Sequence, residues 1–404
     1  MTIDEQTTSN SDSKPEIHMD PNAVLEVRGL VTNFYTYEGV VKALDGVTVK
    51  LGRGDTLALV GETGCGKSVT AKSIMRLVDS PGKIEKGEVL FMDEDENGDP
   101  LPIDLLHLTE PEMRKIRGNK IAIVFQDPAT YPNPVFRIGD QIAEVIMLHQ
   151  DLGREIVEDK IEQLEDALHN ADEPTSEDIE TRLSELRSQL DNPPKPTDDE
   201  LKKAAKRKAI EMLNMVRMPS AAEIANQYPH ELSGGMRQRA LIAMSLSCNP
   251  KILIADEATT ALDVTVQAQV LKLLNDLKAG LDASIVIITH DLGVVAETCT
   301  VVAVMYAGVV VEYATTEDLF SDPIHPYTTG LLEAIPKLTE KKARLTQIRG
   351  SVPNLIDPPT GCRFHPRCDF ATEQCSKERP PREEMRPGHW VECWNPQGSM
   401  KGGK

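Results

Sequence analysis

The sequence predicts an α/β fold built around a phosphate-binding loop, and three observations carry that prediction. The first is Gly61-Glu62-Thr63-Gly64-Cys65-Gly66-Lys67-Ser68, which fits G-x-x-x-x-G-K-[ST]. An apolar run, residues 56–60, precedes it, and residues 69–78 follow with helical spacing and no breaker. The glycines therefore fall at a strand-to-helix turn. The second is residues 251–256, read as a fully buried strand ending in Asp256-Glu257. The third is a pair of further apolar strands, 120–125 and 284–289, which end at Gln126 and His290. Polar side chains at the carboxyl ends of such strands sit where open α/β sheets bind ligands.

The loop chemistry follows from the residue types. Glycines let the backbone wrap closely around a polyphosphate. Successive N–H groups and the helix N-terminus aim partial positive charge at it. Lys67 can reach the β- and γ-phosphates, and the Ser68 hydroxyl can ligate Mg²⁺. Asp256 would bind Mg²⁺ through water, and Glu257 would polarise the attacking water.

Composition sets the outer bounds. A chain of 404 residues holds one large domain with appendages or two domains. A net charge of −20 argues against non-specific binding to nucleic acid or anionic lipid. No apolar run reaches the ~18–20 residues a membrane span needs. The best candidate, residues 285–311, is broken by His290, Asp291 and Glu297. Residues 1–20 are polar and acidic, without a signal-peptide core. A cytosolic chain is expected, with seven cysteines that serve as thiols or metal ligands rather than disulfides.

In chain order, residues 1–22 read as a disordered tail. Residues 24–29 and 40–51 read as strands, flanking the aromatic cluster Phe34, Tyr35 and Tyr37. One of these rings could stack on a purine; ordinary sheet packing is the alternative. Residues 84–92 form another strand, 93–100 an acidic turn, and 139–150 an amphipathic helix. Residues 151–200 change character, with 17 acidic and 5 basic side chains. Ile156, Ile161, Leu164 and Leu168 share one helix face, and Ile179, Leu183, Leu186 and Leu190 another, with Pro174 between. The prediction is a surface helical hairpin, either a solvated insertion or a docking surface. Residues 201–216 resume as helix. Leu232-Ser233-Gly234-Gly235-Met236-Arg237-Gln238-Arg239 opens a further helix, with Ser233 as N-cap and glycines exposing N–H groups. That is either a second anion-binding terminus or a plain loop. Residues 301–306 and 309–313 read as an edge hairpin turning at Ala307-Gly308. Past Ser321 the composition becomes rich in Pro, Arg and Cys, and an appendage outside the first core is expected.

The ordered set Gly61–Ser68, Gln126, 232–238, 252–257, Ala261-Leu262-Asp263 and His290 resembles the ATP-binding cassette (ABC) ATPases of ABC transporters, over about residues 23–320. Tyr228-Pro229-His230-Glu231, Val264-Thr265-Val266-Gln267, His325-Pro326-Tyr327 and Gly361-Cys362-Arg363-Phe364-His365-Pro366-Arg367-Cys368 resemble the dipeptide/oligopeptide importer branch, which also includes importers of nickel and oligosaccharides. The resemblance implies an ABC-type P-loop ATPase core with a helical subdomain at about 127–245. The acidic insertion at about 151–200 would lie inside it, and 321–404 would be a small Cys-rich extension. It implies ATP hydrolysis driving solute import, peripheral at the cytoplasmic face of the membrane. The implied partners are a second ABC ATPase subunit (a paralogue, in a heterodimer), two transmembrane permeases and an extracytoplasmic solute-binding protein, with no nucleic acid.

Roles carry over to matching positions. Lys67 and the amides of Gly61–Ser68 and Val69 would bind phosphates. Ser68, Gln126 and Asp256 would surround Mg²⁺, with Gln126 also linking the site to the permeases. Glu257 would be the catalytic base and His290 would hold the γ-phosphate. Ser233, Gly234 and Gly235 would close over ATP bound to the partner ATPase. Phe34 falls where adenine stacks, with Tyr35 and Tyr37 as alternatives. Three positions depart from the pattern: Ala258 replaces the usual Pro after the catalytic Glu, the loop after Gln126 reads Ala129-Thr130-Tyr131-Pro132, and the acidic hairpin has no counterpart. The rival readings are a soluble ABC ATPase acting on ribosomes or DNA, and a redox-sensing regulatory subunit.

Cys362, Cys368, Cys375 and Cys393 are spaced C-x₅-C-x₆-C-x₁₇-C. Four thiolates can hold a [4Fe–4S] cluster or zinc. Zinc sites favour C-x₂₋₄-C pairs, which are absent, and the resemblance extends to importers with an iron–sulfur cluster in this tail. An iron–sulfur cluster is therefore expected, with zinc and free thiols as alternatives. Packing is expected for His365 and His389, and Cys65, Cys248 and Cys299 are expected to be small buried or loop residues.

Overall fold

The computed structural model describes residues 17–95, 97–126, 130–168, 173–257, 264–281, 283–334 and 348–398. Most of the predicted tail, residues 1–16, lies outside them, as do Ala258 and Ala261-Leu262-Asp263. The strands are β1 (Ala23–Thr36), β2 (Gly39–Gly52), β3 (Thr56–Val60), β4 (Gly82–Glu94), β5 (Pro100–Asp104) and β6 (Ile121–Val124). Then come β7 (Ile252–Asp256), β8 (Ser284–Ile288), β9 (Val301–Tyr306), β10 (Val309–Thr315), β11 (Arg382–Arg386) and β12 (His389–Glu392). The helices are α1 (Lys67–Ile74), α2 (Glu110–Ile116), α3 (Ile138–His149), α4 (Gly153–Leu168), α5 (Glu173–Ser188), α6 (Asp198–Met215) and α7 (Ala221–Ile224). They continue with α8 (Gly234–Leu246), α9 (Val264–Leu281), α10 (Leu292–Thr298), α11 (Thr316–Ser321), α12 (Pro326–Glu333) and α13 (Glu373–Lys377).

The strands form two sheets. One is antiparallel, ordered β2-β1-β4-β5, and the other is eight-stranded, ordered β11-β12-β10-β9-β3-β8-β7-β6. Strands β9, β3, β8, β7 and β6 run parallel. Continuous apolar runs such as Leu57–Val60 and Ile252–Ala255 suit them, because both faces are covered. Alternation divides each strand between two cores. Leu57, Leu59, Ile252, Ile254, Val286 and Ile288 face the antiparallel sheet and α1. Ala58, Val60, Leu253, Ala255, Ile285 and Ile287 face the helical side, with residues of α3, α6 and α8.

Helix starts follow local chemistry. The capping boxes Thr109/Glu112 and Thr197/Glu200 open α2 and α6, and Ser233 caps α8 by accepting from the Met236 N–H. The acidic stretch forms α4 and α5, with Ile156 and Val157 buried at the base and Leu183 buried on α5. Arg187–Glu165 ties α5 to α4, while Lys160–Glu200 and Lys208–Glu155 tie α4 to α6. Residues 169–172, between α4 and α5, lie outside the described residues. No helix among the described residues is long and apolar enough to cross a membrane.

Two expectations change. The β9–β10 hairpin is not at an edge, because β10 pairs with β12 and β12 with β11. The segment past Ser321 does not stand outside the first core either. Its strands extend the main sheet, and Tyr327 and Phe364 are buried in the helical-side core. Arg382-Glu383-Glu384-Met385-Arg386 has no apolar alternation to announce a strand; it pairs at the open side of β12.

A buried polar joint fixes this docking. Glu312 on β10 is 1% exposed. Its carboxyl oxygens accept from the Ile324 and His325 N–H groups, at 2.8 and 2.9 Å, and pair with His389 Nε2 at 2.7 Å. His325 Nδ1 then accepts from the Tyr327 N–H at 3.0 Å, capping α12. Burial pushes the His325 imidazole down to about 4, against the opposing pull of Glu312. The unfolded chain therefore binds this proton first, and folding stability should fall as pH drops from about 6.5 towards 4, by up to about 1.4 kcal/mol per pH unit. Unfolding midpoints across that window, compared with His325→Asn, check this: the variant should lose part of the acid slope.

Candidate active site

The phosphate loop connects β3 to α1, as its neighbours predict. Gly61 has φ +148°, and a Cβ there would stand 2.1 Å from the Met305 carbonyl oxygen, so only glycine fits the turn. Gly66 caps α1 with φ 106°, pressed against Ala43 and Leu44 of β2. Lys67 is 5% exposed, and its ammonium donates to the carbonyls of Gly61 (2.8 Å) and Glu62 (3.2 Å). A buried ammonium needs such partners. Cys65 lies under the loop, buried, with its sulfur 3.8 Å from Lys67 Nζ. Cys248 and Cys299 are also buried, as expected.

Three distant segments meet beside this loop. The Ser68 hydroxyl donates to Asp256 Oδ1 at 2.9 Å. Burial pushes the Asp256 carboxyl above the usual range, with the Ser68 hydrogen bond opposing. A hydroxyl and a carboxylate that gains from a nearby positive charge are hard oxygen donors suited to Mg²⁺. Glu257 accepts from Gln126 Nε2 at 2.6 Å and lies 3.7 Å from His290 Nδ1. Its N–H donates to the Ile288 carbonyl at 3.0 Å, and its φ is +46°, a left-handed conformation uncommon for a non-glycine residue. Such outliers cluster at functional sites. A cleft of about 330 Å³ runs between residues 60–63, His290, Leu292 and Leu331.

Other expected site residues stand further off. Phe34 lies on β1, two residues past Thr32, whose hydroxyl pairs with Ser73 of α1 at 2.9 Å. Tyr35 is half exposed, with its hydroxyl donating to Glu85 at 2.8 Å, and Tyr37 is fully exposed. Ser233 and Gly234 face solvent at the start of α8, which packs on α3, α6 and β6. Glu62 was expected near nucleotide, but its carboxylate is directed at Arg367. Sequence reasoning gave Arg367 and Tyr327 no role at the site; the signal was their place in the tail motifs 325–327 and 361–368.

The expected iron–sulfur centre is not borne out. Among the described residues no group of three or more His, Cys, Asp or Glu side chains is arranged to hold a metal ion. The Cys375 sulfur lies 3.3 Å from the Thr372 hydroxyl, and the Cys393 sulfur accepts from the Asn395 N–H at 3.3 Å. Burial pushes the thiols of Cys362 and Cys368 up, and that of Cys393 to about 12. None of the four is joined in a disulfide. His389 packs, as expected, with its Nε2 on Glu312.

A family model described as ABC transporter matches residues 44–260. A second, described as the C-terminal region of oligopeptide/dipeptide transporters, matches residues 311–375. A probable peptide ABC transporter ATP-binding protein of Sinorhizobium fredii is 44% identical over 373 residues, 92% of this chain and 94% of that protein. An oligopeptide transport ATP-binding protein of Bacillus subtilis is 42% identical over 374 residues, 92% of this chain and 97% of that protein. A dipeptide transport ATP-binding protein of Bacillus subtilis is 41% identical over 372 residues, 92% of this chain and 94% of that protein. A solved dimeric ATP-binding cassette in a post-hydrolysis state, bound to ADP and Pi, covers 72% of this chain and 98% of its own at 23% identity, with a TM-score of 0.52. That likeness concerns the fold.

Proposed function

The chain belongs to the ATP-binding subunits of oligopeptide/dipeptide ABC transporters, and we propose that it hydrolyses ATP to drive peptide import. The observation that carries this reading is the convergence of Ser68, Asp256, Glu257, Gln126 and His290, from separate segments, beside the Lys67 loop.

In the proposed mechanism Lys67 and the amides of Gly64, Cys65, Gly66, Ser68 and Val69 bind the phosphates, and Phe34 stacks on adenine. Ser68, Gln126 and Asp256 would hold Mg²⁺, which would supply charge neutralisation on the phosphates when bound. Glu257 takes the proton of the attacking water as its oxygen bonds to the γ-phosphorus and the bond to the bridging oxygen breaks. Gln126 orients the Glu257 carboxylate, and His290 neutralises charge on the transferring group. The solvent-facing Ser233 and Gly234, with half-buried Gly235, would cover ATP on a second ATPase subunit.

We assign 23–320 to the nucleotide-binding unit and 321–404 to an extension, with a helical subdomain at about 127–245 that includes the acidic insertion. The exposed Tyr131, Val135, Phe136 and Leu148 on that subdomain are apolar side chains suited to a permease contact. The partners are two permeases, a solute-binding protein outside the membrane and a second ATPase subunit, with this chain peripheral at the cytoplasmic face. The test is uptake of labelled di- and oligopeptides in cells lacking this chain. Wild-type chain should restore uptake, and Lys67→Ala should not. Undiminished peptide uptake without the chain would remove the assignment.

A further inference from the structure

The phosphate loop is gripped from behind by the chain's own extension. All three polar groups of Glu62 are engaged. Its N–H donates to the Tyr327 hydroxyl at 3.0 Å, and its carbonyl accepts from Lys67 Nζ at 3.2 Å. Its carboxylate accepts from both terminal nitrogens of Arg367, at 2.6 and 3.0 Å. The Arg367 side chain is 5% exposed. Its Nε donates to the Arg349 carbonyl at 2.7 Å, and its guanidinium lies 5.6 Å from the Tyr306 ring centroid. Such a fork binds a carboxylate in one orientation.

A second track runs parallel. Buried Arg363 donates to Asp45 at 2.7 Å and to the Ala307 carbonyl. The next residue, Gly308, donates its N–H to the Cys65 carbonyl inside the loop at 2.9 Å and accepts from the Asp45 N–H at 2.9 Å. Both tracks fix main-chain groups that flank the phosphate position, and Tyr306, Tyr327 and Phe364 pack between them with ring centroids 4.7–5.3 Å apart.

We propose that Arg367, acting with Tyr327 on Glu62, is a positioning residue that holds the phosphate loop in its ATP-accepting form, so that extension docking and nucleotide binding are thermodynamically linked. This rests on the ATP site proposed above. If docking raises ATP affinity by some factor, ATP must favour docking by the same factor. Arginine serves this role better than lysine, because an ammonium cannot engage both carboxylate oxygens and the Arg349 carbonyl in one plane.

The test is equilibrium binding of Mg-ATP to the purified full chain, with steady-state hydrolysis alongside. Arg367→Ala should weaken ATP binding about tenfold, raising KM while leaving kcat nearly unchanged, and Arg367→Lys should recover part of the loss. In a Glu62→Gln background, Arg367→Ala should add little. ATP should slow amide exchange across residues 362–368 in the wild type and not in Arg367→Ala. Wild-type affinity in the folded Arg367→Ala chain, or an undiminished effect in the Glu62→Gln background, overturns the inference. Should Arg367→Ala fail to fold, Arg367→Lys and Tyr327→Phe decide by the same affinity criterion. A wild-type chain that binds no ATP sinks the nucleotide-site reading itself, whereas ATP binding indifferent to Arg367 sinks only this inference.

Discussion

Glu257→Gln should lower ATP turnover by about 10²- to 10⁴-fold, the range a positioned general base supplies, and leave ATP affinity nearly unchanged. The geometry separates the two effects. The new side chain keeps the length of the old one and one carbonyl oxygen, which can still accept from Gln126 Nε2, now at 2.6 Å from the carboxylate. The N–H to the Ile288 carbonyl and the left-handed backbone are properties of the strand end and survive the change. In the proposed site, phosphate binding falls to other groups, namely Lys67, which lies at the loop, the loop amides, and Ser68, which pairs with Asp256. Only the capacity to take a proton from water is lost. Single-turnover hydrolysis with parallel ATP-binding measurements tests this. Turnover within a few-fold of wild type would show that Glu257 is not the base, and His290, 3.7 Å away, would become the candidate.

The same residues show what a sequence can reveal about such a site. Residues 57–60, 252–255 and 285–288 are apolar without interruption, so their strand character and their burial on both faces are written locally. Asp256-Glu257 and His290, which close the latter two segments, then fall at the same sheet edge as the loop that follows the first, because parallel strands align their carboxyl ends. Local capping chemistry similarly marked the start of α8 at Ser233. What escaped were pairings between residues hundreds of positions apart. Arg367 meets Glu62 across 305 positions, and Arg363 meets Asp45 across 318. No periodicity encodes such a pair, and either arginine alone reads as a solvated charge. The strand β11 escaped for a related reason, since its pattern is charged and only the partner β12 makes it a strand. Cysteine spacing misled in the opposite direction. Four thiols within 32 residues are compatible with a cluster, but spacing fixes neither the direction in which each sulfur points nor its burial.

Glu312→Ala should destabilise the folded chain by about 3–5 kcal/mol, the usual cost of removing one partner from a buried polar pair. The truncation strips acceptors from three donors at once: the Ile324 and His325 N–H groups and the His389 ring. Water has no ready access, because His325 and His389 are themselves buried. Each orphaned donor costs about 1–3 kcal/mol, and partial relaxation keeps the sum below three full penalties. The loss falls on one place. Glu312 joins β10, the chain entering α12, and β12, so its removal loosens the seam between the main sheet and the extension. Chemical unfolding with amide exchange should therefore report early opening of residues 389–392 and 324–333, ahead of β3 and β7. Because Tyr327 and Arg367 reach Glu62 from that loosened side, ATP affinity should fall together with protection of the extension. A Glu312→Ala chain with the wild-type unfolding midpoint and wild-type protection at residues 389–392 would show that the buried joint does not hold the extension in place.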